Sequence, residues 1–291
     1  MKNLLSKLNI KESSTTLILI ITILLSSCSN YSNDSLNTIP KDTGFILSID
    51  IANIIKKGGE DISENQFLKT IKRELRNENV SAYRMFDEFI QDPKMTGVNF
   101  KNDLFCFYLN EGFENHYFVA TAEISSKENV DELIEDVFFK ILEQDIYVEK
   151  NRSENYSYVI DDYNDMAFAW DNEKIIFLAE IETNRRNKNS EYVLEDLMTL
   201  KKENSISINN EFNNFIKNKK DLSLWFSSNL IDDFPNIIKE ADLDEVLDAG
   251  VFDFEDLLDN YFSFHLNFDN DNITLSFNQK LNDKMEEKTK T

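Results

Sequence analysis

The stretch Phe45-Ile46-Leu47-Ser48-Ile49-Asp50-Ile51 decides the fold, because the last third of the chain repeats its theme. It reads as a strand introduced by Ile39-Pro40-Lys41-Asp42, and Ile54-Ile55 then start a helical turn that Gly58-Gly59 stops. Leu222-Ser223-Leu224-Trp225-Phe226 is a second such strand, leading into Ser228-Asn229-Leu230-Ile231. After the first strand, Phe67, Leu68, Ile71 and Leu75 recur at helical spacing, as do Tyr83, Phe86, Phe89 and Ile90. Residues 103–109 and 117–124 then alternate as paired strands around the turn Glu111–Asn115. After the second strand, Ile237, Ile238, Ala241 and Val246 mark a helix ending near Gly250. Residues 261–268 and 273–281 follow as a hairpin around Asp269-Asn270-Asp271-Asn272. The apolar residues Phe262, Phe264, Leu266 and Phe268, with Ile273, Leu275 and Phe277, are expected to face inward, and His265 outward. Gly97-Val98-Asn99-Phe100 before the first hairpin resembles Gly250-Val251-Phe252-Asp253-Phe254 before the second.

Between these copies lies the most regular helical pattern. Val130, Leu133, Ile134, Val137, Phe138, Ile141 and Leu142 follow one face without a miss, and Ser125 with Glu128 reads as a capping box at its start. Residues 146–181 read as a meander of strands Ile146–Glu149, Tyr156–Ile160, Met166–Trp170 and Ile175–Ile181, with Asp/Asn-rich turns. The expected class is α+β, a largely antiparallel sheet covered on one face by helices. Two degenerate strand–helix–hairpin halves, residues 39–145 and 205–283, are joined by the helix and meander. No Pro- or Ser-rich linker divides them, so 39–283 is expected to be one domain with a frayed tail at 284–291.

The N-terminus carries an address. Lys2, Lys7 and Lys11 precede an eleven-residue apolar run, Thr15–Leu25. That is short of the about 20 residues a membrane-spanning helix needs, and it has the layout of an export signal. The run ends in Leu25-Ser26-Ser27-Cys28, which resembles the lipobox of bacterial lipoproteins. Residues 1–27 are therefore expected to be a signal peptide, Cys28 the acylated (palmitate-bearing) residue, and 28–38 a polar tether. Two or three acyl chains exceed the one-chain limit of marginal anchoring. Ser29 lacks the aspartate tied to inner-membrane retention, and the tether lacks an acidic surface-export cluster, so the expected location is the outer membrane, facing the periplasm.

Ile39-Pro40-Lys41-Asp42, Phe45–Asp50 and Ile54-Ile55-Lys56-Lys57-Gly58 resemble the opening of a Bacteroidota lipoprotein family of unknown function. Gly97-Val98-Asn99-Phe100, Tyr158–Ala169 with Trp170, and the closing hairpin up to Asn282-Asp283 extend the likeness over 39–283. The chain departs from the family pattern in being poorer in Gly and richer in Asn. The resemblance implies an envelope location and a fold, and carries no catalytic residue with it.

Charge and chemistry narrow the function. The 291 residues hold 31 Lys+Arg against 54 Asp+Glu, a formal charge of −23 that argues against nucleic acid as a partner. Loss of residues 1–27, with three Lys and one Glu, takes it to −25. Only two Cys leave no disulfide scaffold or four-Cys zinc site. Cys106, in Leu-Phe-Cys-Phe-Tyr, is expected to be a small buried hydrophobe. His116 is expected in a turn. The acid pairs Asp161-Asp162, Asp232-Asp233, Asp242/Asp244/Glu245 and Asp253/Glu255/Asp256 are read as solvated faces. Asp269-Asn270-Asp271-Asn272 begins like an EF-hand loop, but Thr274 and Lys280 stand where Gly and Glu belong, so a hairpin turn is expected. Trp170 and Trp225 each end a strand and read as core, with a sugar-stacking platform as the alternative. No catalytic, metal or cofactor residue is assigned. The expectation is a lipid-anchored, non-enzymatic binding or interaction module, held to the membrane through Cys28 and engaging an envelope protein or glycan. A carbohydrate-active hydrolase, or a glycan- or Ca²⁺-binding accessory protein, is the alternative.

Overall fold

The computed structural model describes residues 34–57, 66–110, 115–142, 149–151, 156–161, 165–183, 189–228, 258–269 and 272–289. The strands are β1 (Phe45–Ile49), β2 (Leu104–Asn110), β3 (Asn115–Glu123), β4 (Glu149–Asn151), β5 (Tyr156–Asp161), β6 (Met166–Trp170), β7 (Lys174–Thr183), β8 (Leu222–Ser227), β9 (Tyr261–Phe268) and β10 (Ile273–Lys280). The helices are α1 (Ile51–Lys57), α2 (Gln66–Glu78), α3 (Val80–Gln91), α4 (Lys127–Asp136), α5 (Ser190–Met198), α6 (Asn210–Lys217) and α7 (Asp283–Thr289). All ten strands join one antiparallel sheet in the order β10-β9-β8-β1-β2-β3-β7-β6-β5-β4, which makes the protein α+β.

The repeat is written into that order. β1–β2–β3 and β8–β9–β10 run outward in opposite directions from the β1/β8 pair, whose middle contact is Leu47 opposite Leu224. The expected helix around Ile237–Val246 lies outside the described residues, and so does the first part of the expected strand Ile146–Glu149. The meander β4–β7 extends the sheet beyond β3.

Helices cover both faces of the sheet, which corrects the one-face expectation. On one side α2, α3 and α4 pack Leu75, Phe86, Phe89, Val130 and Ile134 over Leu104, Cys106, Ala120, Phe168 and Trp170. On the other, α5 and α6 pack Leu194, Leu197, Phe212 and Phe215 over Ile46, Phe105, Phe107, Leu178 and Trp225. Two-sided cover explains why β2 and β6 are apolar runs buried at nearly every position, instead of alternating strands. α5 and α6 add to the expected helices, and their sequence mark is the helical spacing of Val193/Leu194/Leu197/Met198 and Phe212/Phe215/Ile216.

Local signals shifted by a residue or two. Ser126, not Ser125, caps α4, accepting from Asn129 N at 3.2 Å, while Ser125 Oγ donates to Gly97 O at 3.1 Å. Gly97 sits at φ 74°, and a Cβ there would lie 2.3 Å from Ser126 O, so the close approach needs glycine. The helical pattern ends in a π turn at Val137–Ile141, which leaves Phe139 exposed. Part of the expected tether 28–38 belongs to the fold: Asp34–Thr38 is a 3-10 turn with Ser35, Leu36 and Thr38 buried and Asn37 accepting from Ser207 Oγ at 3.0 Å, and residues 28–33 lie outside the described residues. The expected fraying at 284–291 is corrected through residue 289. Asn282 caps α7, accepting from Met285 N at 2.8 Å.

Phe212 has no exposed surface and meets Trp225 edge-on, with ring centroids 5.6 Å apart. Phe212→Ala is expected to lower the unfolding free energy by about 3–5 kcal/mol in urea titration. A loss below about 1 kcal/mol would mean that α6 does not pack on the sheet.

Candidate functional site

The densest gathering of chemically capable side chains lies on the β1/β8 join, below α6. Strand pairing places Ser48 opposite Ser223 and Ser223 opposite His265, so the three share one face of the sheet. Asp103, just before β2, accepts from Ser48 Oγ at 2.9 Å and from Lys219, which lies 3.8 Å from Asp50. Ser223 Oγ lies 2.9 Å from His265 Nδ1, and Ser263 Oγ lies 3.1 Å from Nε2. Phe215 of α6 stacks on the imidazole at 5.3 Å. Beside this row, Asp221 is fully buried. It accepts from Asn53 Nδ2 at 2.7 Å, Lys57 Nζ at 3.0 Å and the Phe268 amide.

Burial sets the electrostatics. It raises the Asp103 carboxyl above its ordinary range, against the pull of Lys219. It lowers His265, helped by the charge of Lys220, so the imidazole is neutral at neutral pH. Ser48 and Ser223 have no exposed surface and His265 only 2 %. A Ser–His pair activates a nucleophile when the hydroxyl meets a substrate and a third group orients the imidazole. Here both ring nitrogens are engaged by buried hydroxyls, and the row ties β1, β8 and β9 together. The sequence signal for it was available: serines at inward strand positions of two paired strands, with Lys219-Lys220-Asp221 at the entry to β8.

The open concave surface is elsewhere. A cleft of about 410 Å³ lies between the end of α5 and the segment entering β1. Its walls include Pro40, Leu109, Val193 and Leu197, with Asp196, Thr199, Lys201 and Asn204 among its polar groups. Beside the cleft, Lys174 Nζ donates to the Met198 and Leu197 carbonyls at 2.8 and 3.3 Å and caps α5, while Lys41 N donates to Asn204 O at 2.9 Å. Burial lowers the Lys174 pKa.

The residues singled out in the sequence are scattered. Cys28 and the acids at 232–233, 242–245 and 253–256 lie outside the described residues, as does Asp162. Asp161 is buried in β5, against the expectation of a solvated pair. Cys106 is a core residue on the sheet, and burial pushes its thiol up to about 12, so it is inert as a nucleophile at neutral pH. His116 belongs to β3 and not to a turn. It pairs with Asn110 and bonds the Tyr108 hydroxyl through Nδ1. His265 is buried, not outward, because the Ser263/His265 side of the hairpin is the one that meets α6.

Trp170 and Trp225 are core side chains, 0 % and 3 % exposed, Trp170 donating to Asp131 at 2.5 Å. Asp269 and Asn272 close the expected hairpin turn with mutual backbone bonds of 2.8 and 3.3 Å. Among the described residues no group of three or more His, Cys, Asp or Glu is placed to hold a metal, and no helix is long and apolar enough to cross a membrane.

A family model described as a domain of unknown function (DUF4836) matches residues 35–289. No curated protein and no solved structure matches the chain.

The buried imidazole has a pH signature. Its folded pKa lies below the unfolded value of about 6.5, so the stability it contributes is present above that pH and falls as the pH drops below it. The melting temperature is expected to fall between about pH 6.5 and 5, and His265→Gln should flatten that part of the profile. An unchanged slope in the variant would show that His265 takes up its proton equally in both states.

Proposed function

The chain belongs to the DUF4836 family, and from that premise we propose that it is a lipid-anchored cell-envelope protein whose domain serves as a non-enzymatic binding or interaction module. The observation that carries the reading is the distance between anchor and fold. Leu25-Ser26-Ser27-Cys28 closes a short apolar run, and six residues later Asp34–Thr38 is already packed into the fold. Six residues of chain span at most about 20 Å, so acyl chains on Cys28 hold the domain against the bilayer surface. Diacylated or triacylated attachment of this kind is effectively permanent.

The outer membrane, facing the periplasm, is the location this reading assigns, in keeping with the likeness to a Bacteroidota lipoprotein family. What a partner meets is the surface. Ser48, Asp103, Lys219, Ser223 and His265 lie in the row at the β1/β8 join, whereas the cleft beside Pro40 is open. An envelope protein or a glycan fits such a module, and the surplus of acids sets the domain off from anionic headgroups.

Metabolic labelling with a clickable fatty acid, followed by membrane fractionation, tests the anchor. The wild type is expected to carry the label and sediment with membranes, and Cys28→Ala to lose the label. A wild type that stays unlabelled and in the soluble fraction would refute the reading.

A further inference from the structure

The two ends of the sheet are unlike. At one end the described residues of β4 are Glu149–Asn151. At the other, β10 runs eight residues, is paired to β9 without a bulge, contains no proline, and is exposed at every position. It is the terminal strand of the sheet among the described residues, so one row of its backbone groups has no sheet partner there. Its side chains add an apolar stripe, with Ile273 71 %, Leu275 66 % and Phe277 49 % exposed. Phe264 of β9, 39 % exposed, continues the stripe, its ring centroid 4.9 Å from that of Phe277. A long, unblunted, apolar edge is a template for another strand.

Charge and register say which strand. In a chain with 54 acids, Ile273–Lys280 contains none, so two copies can meet here without the repulsion that opposes contact elsewhere. The hairpin is also polarised, with Asp269 and Asp271 in its turn and Lys280 at the far end of β10. Antiparallel pairing of β10 with itself sets each Lys280 beside the acidic turn of the other copy. Centred on Ser276, it places Leu275 opposite Phe277 twice. Phe264, Phe277, Leu275 and Leu266 then form one apolar row across the join. The chain already makes such a join internally, where β1 and β8 meet antiparallel around Leu47 and Leu224 over five residues.

We propose that β10 is a homodimer edge: two copies pair through it about a twofold axis at Ser276, forming one continuous twenty-stranded sheet. A closed, isologous contact of this kind stops at two copies.

Ser276→Cys in the full chain, expressed in its own envelope, tests the geometry, because a residue on the axis faces itself. A disulfide-linked dimer is expected on mild oxidation, whereas Tyr192→Cys, exposed on α5, should give none. Cys106 is buried and does not compete. Leu275→Lys together with Phe277→Lys sets like charges opposite each other and should abolish the link in the Ser276→Cys background. The same pair of changes should halve the mass of the detergent-purified protein in sedimentation. Circular dichroism verifies that this variant is folded, and Leu275→Lys alone serves as the milder version. A monomeric mass at every concentration, or a dimer indifferent to the lysine changes, would overturn the proposal.

Discussion

Everything in this fold hangs from the antiparallel pairing of β1 with β8. Five residues on each strand meet there, and each strand is the root of a three-stranded unit running the other way. A slip of one residue would exchange the faces of one whole unit, sending Trp225 to the opposite side of the sheet. The register is held by polar groups. Asp221 gathers the side chains of Asn53 and Lys57 and an amide of β9, Asp103 holds Ser48 and Lys219, and the Asp221 carbonyl accepts from Asp50 N at 2.8 Å. Apolar surfaces tolerate sliding, whereas a buried carboxylate with several donors has one satisfactory position.

That use of polar groups gathers serine, histidine, aspartate and lysine in one region. Hydroxyls meet both imidazole nitrogens, and a lysine meets the buried carboxylate. Among the described residues, an open cleft lies near the chain entry and an exposed strand ends the sheet at its far edge.

Much of the architecture could be read from the sequence. The strands Phe45–Ile49, Met166–Trp170 and the hairpin around Asp269–Asn272 stand where apolar runs and turn residues placed them. The strand part of the expected repeat appears as the paired three-stranded units among the described residues. The errors have a common origin. Missing α5 and α6 made the sheet one-sided, and with one side bare the only inward direction available to the closing hairpin was its apolar one. Once α6 is present, Phe215 claims the Ser263/His265 side, and the Phe264/Phe277 side turns outward. The candidate row becomes legible only once β1 is paired with β8, because Ser48 and Ser223 lie more than a hundred positions apart and no local pattern relates them.

By itself the sequence determined the local geometry: which segments are extended, where turns fall, where an apolar run ends in a cysteine, and how acidic the chain is. Those properties follow from neighbouring side chains and backbone preferences, which act over a few residues. Only the tertiary structure decided which face of each strand is inside and which polar groups are shared at the join. It also decided which edge of the sheet is bare. Each of those depends on what packs against an element from elsewhere in the chain, and burial is a property of the assembled fold.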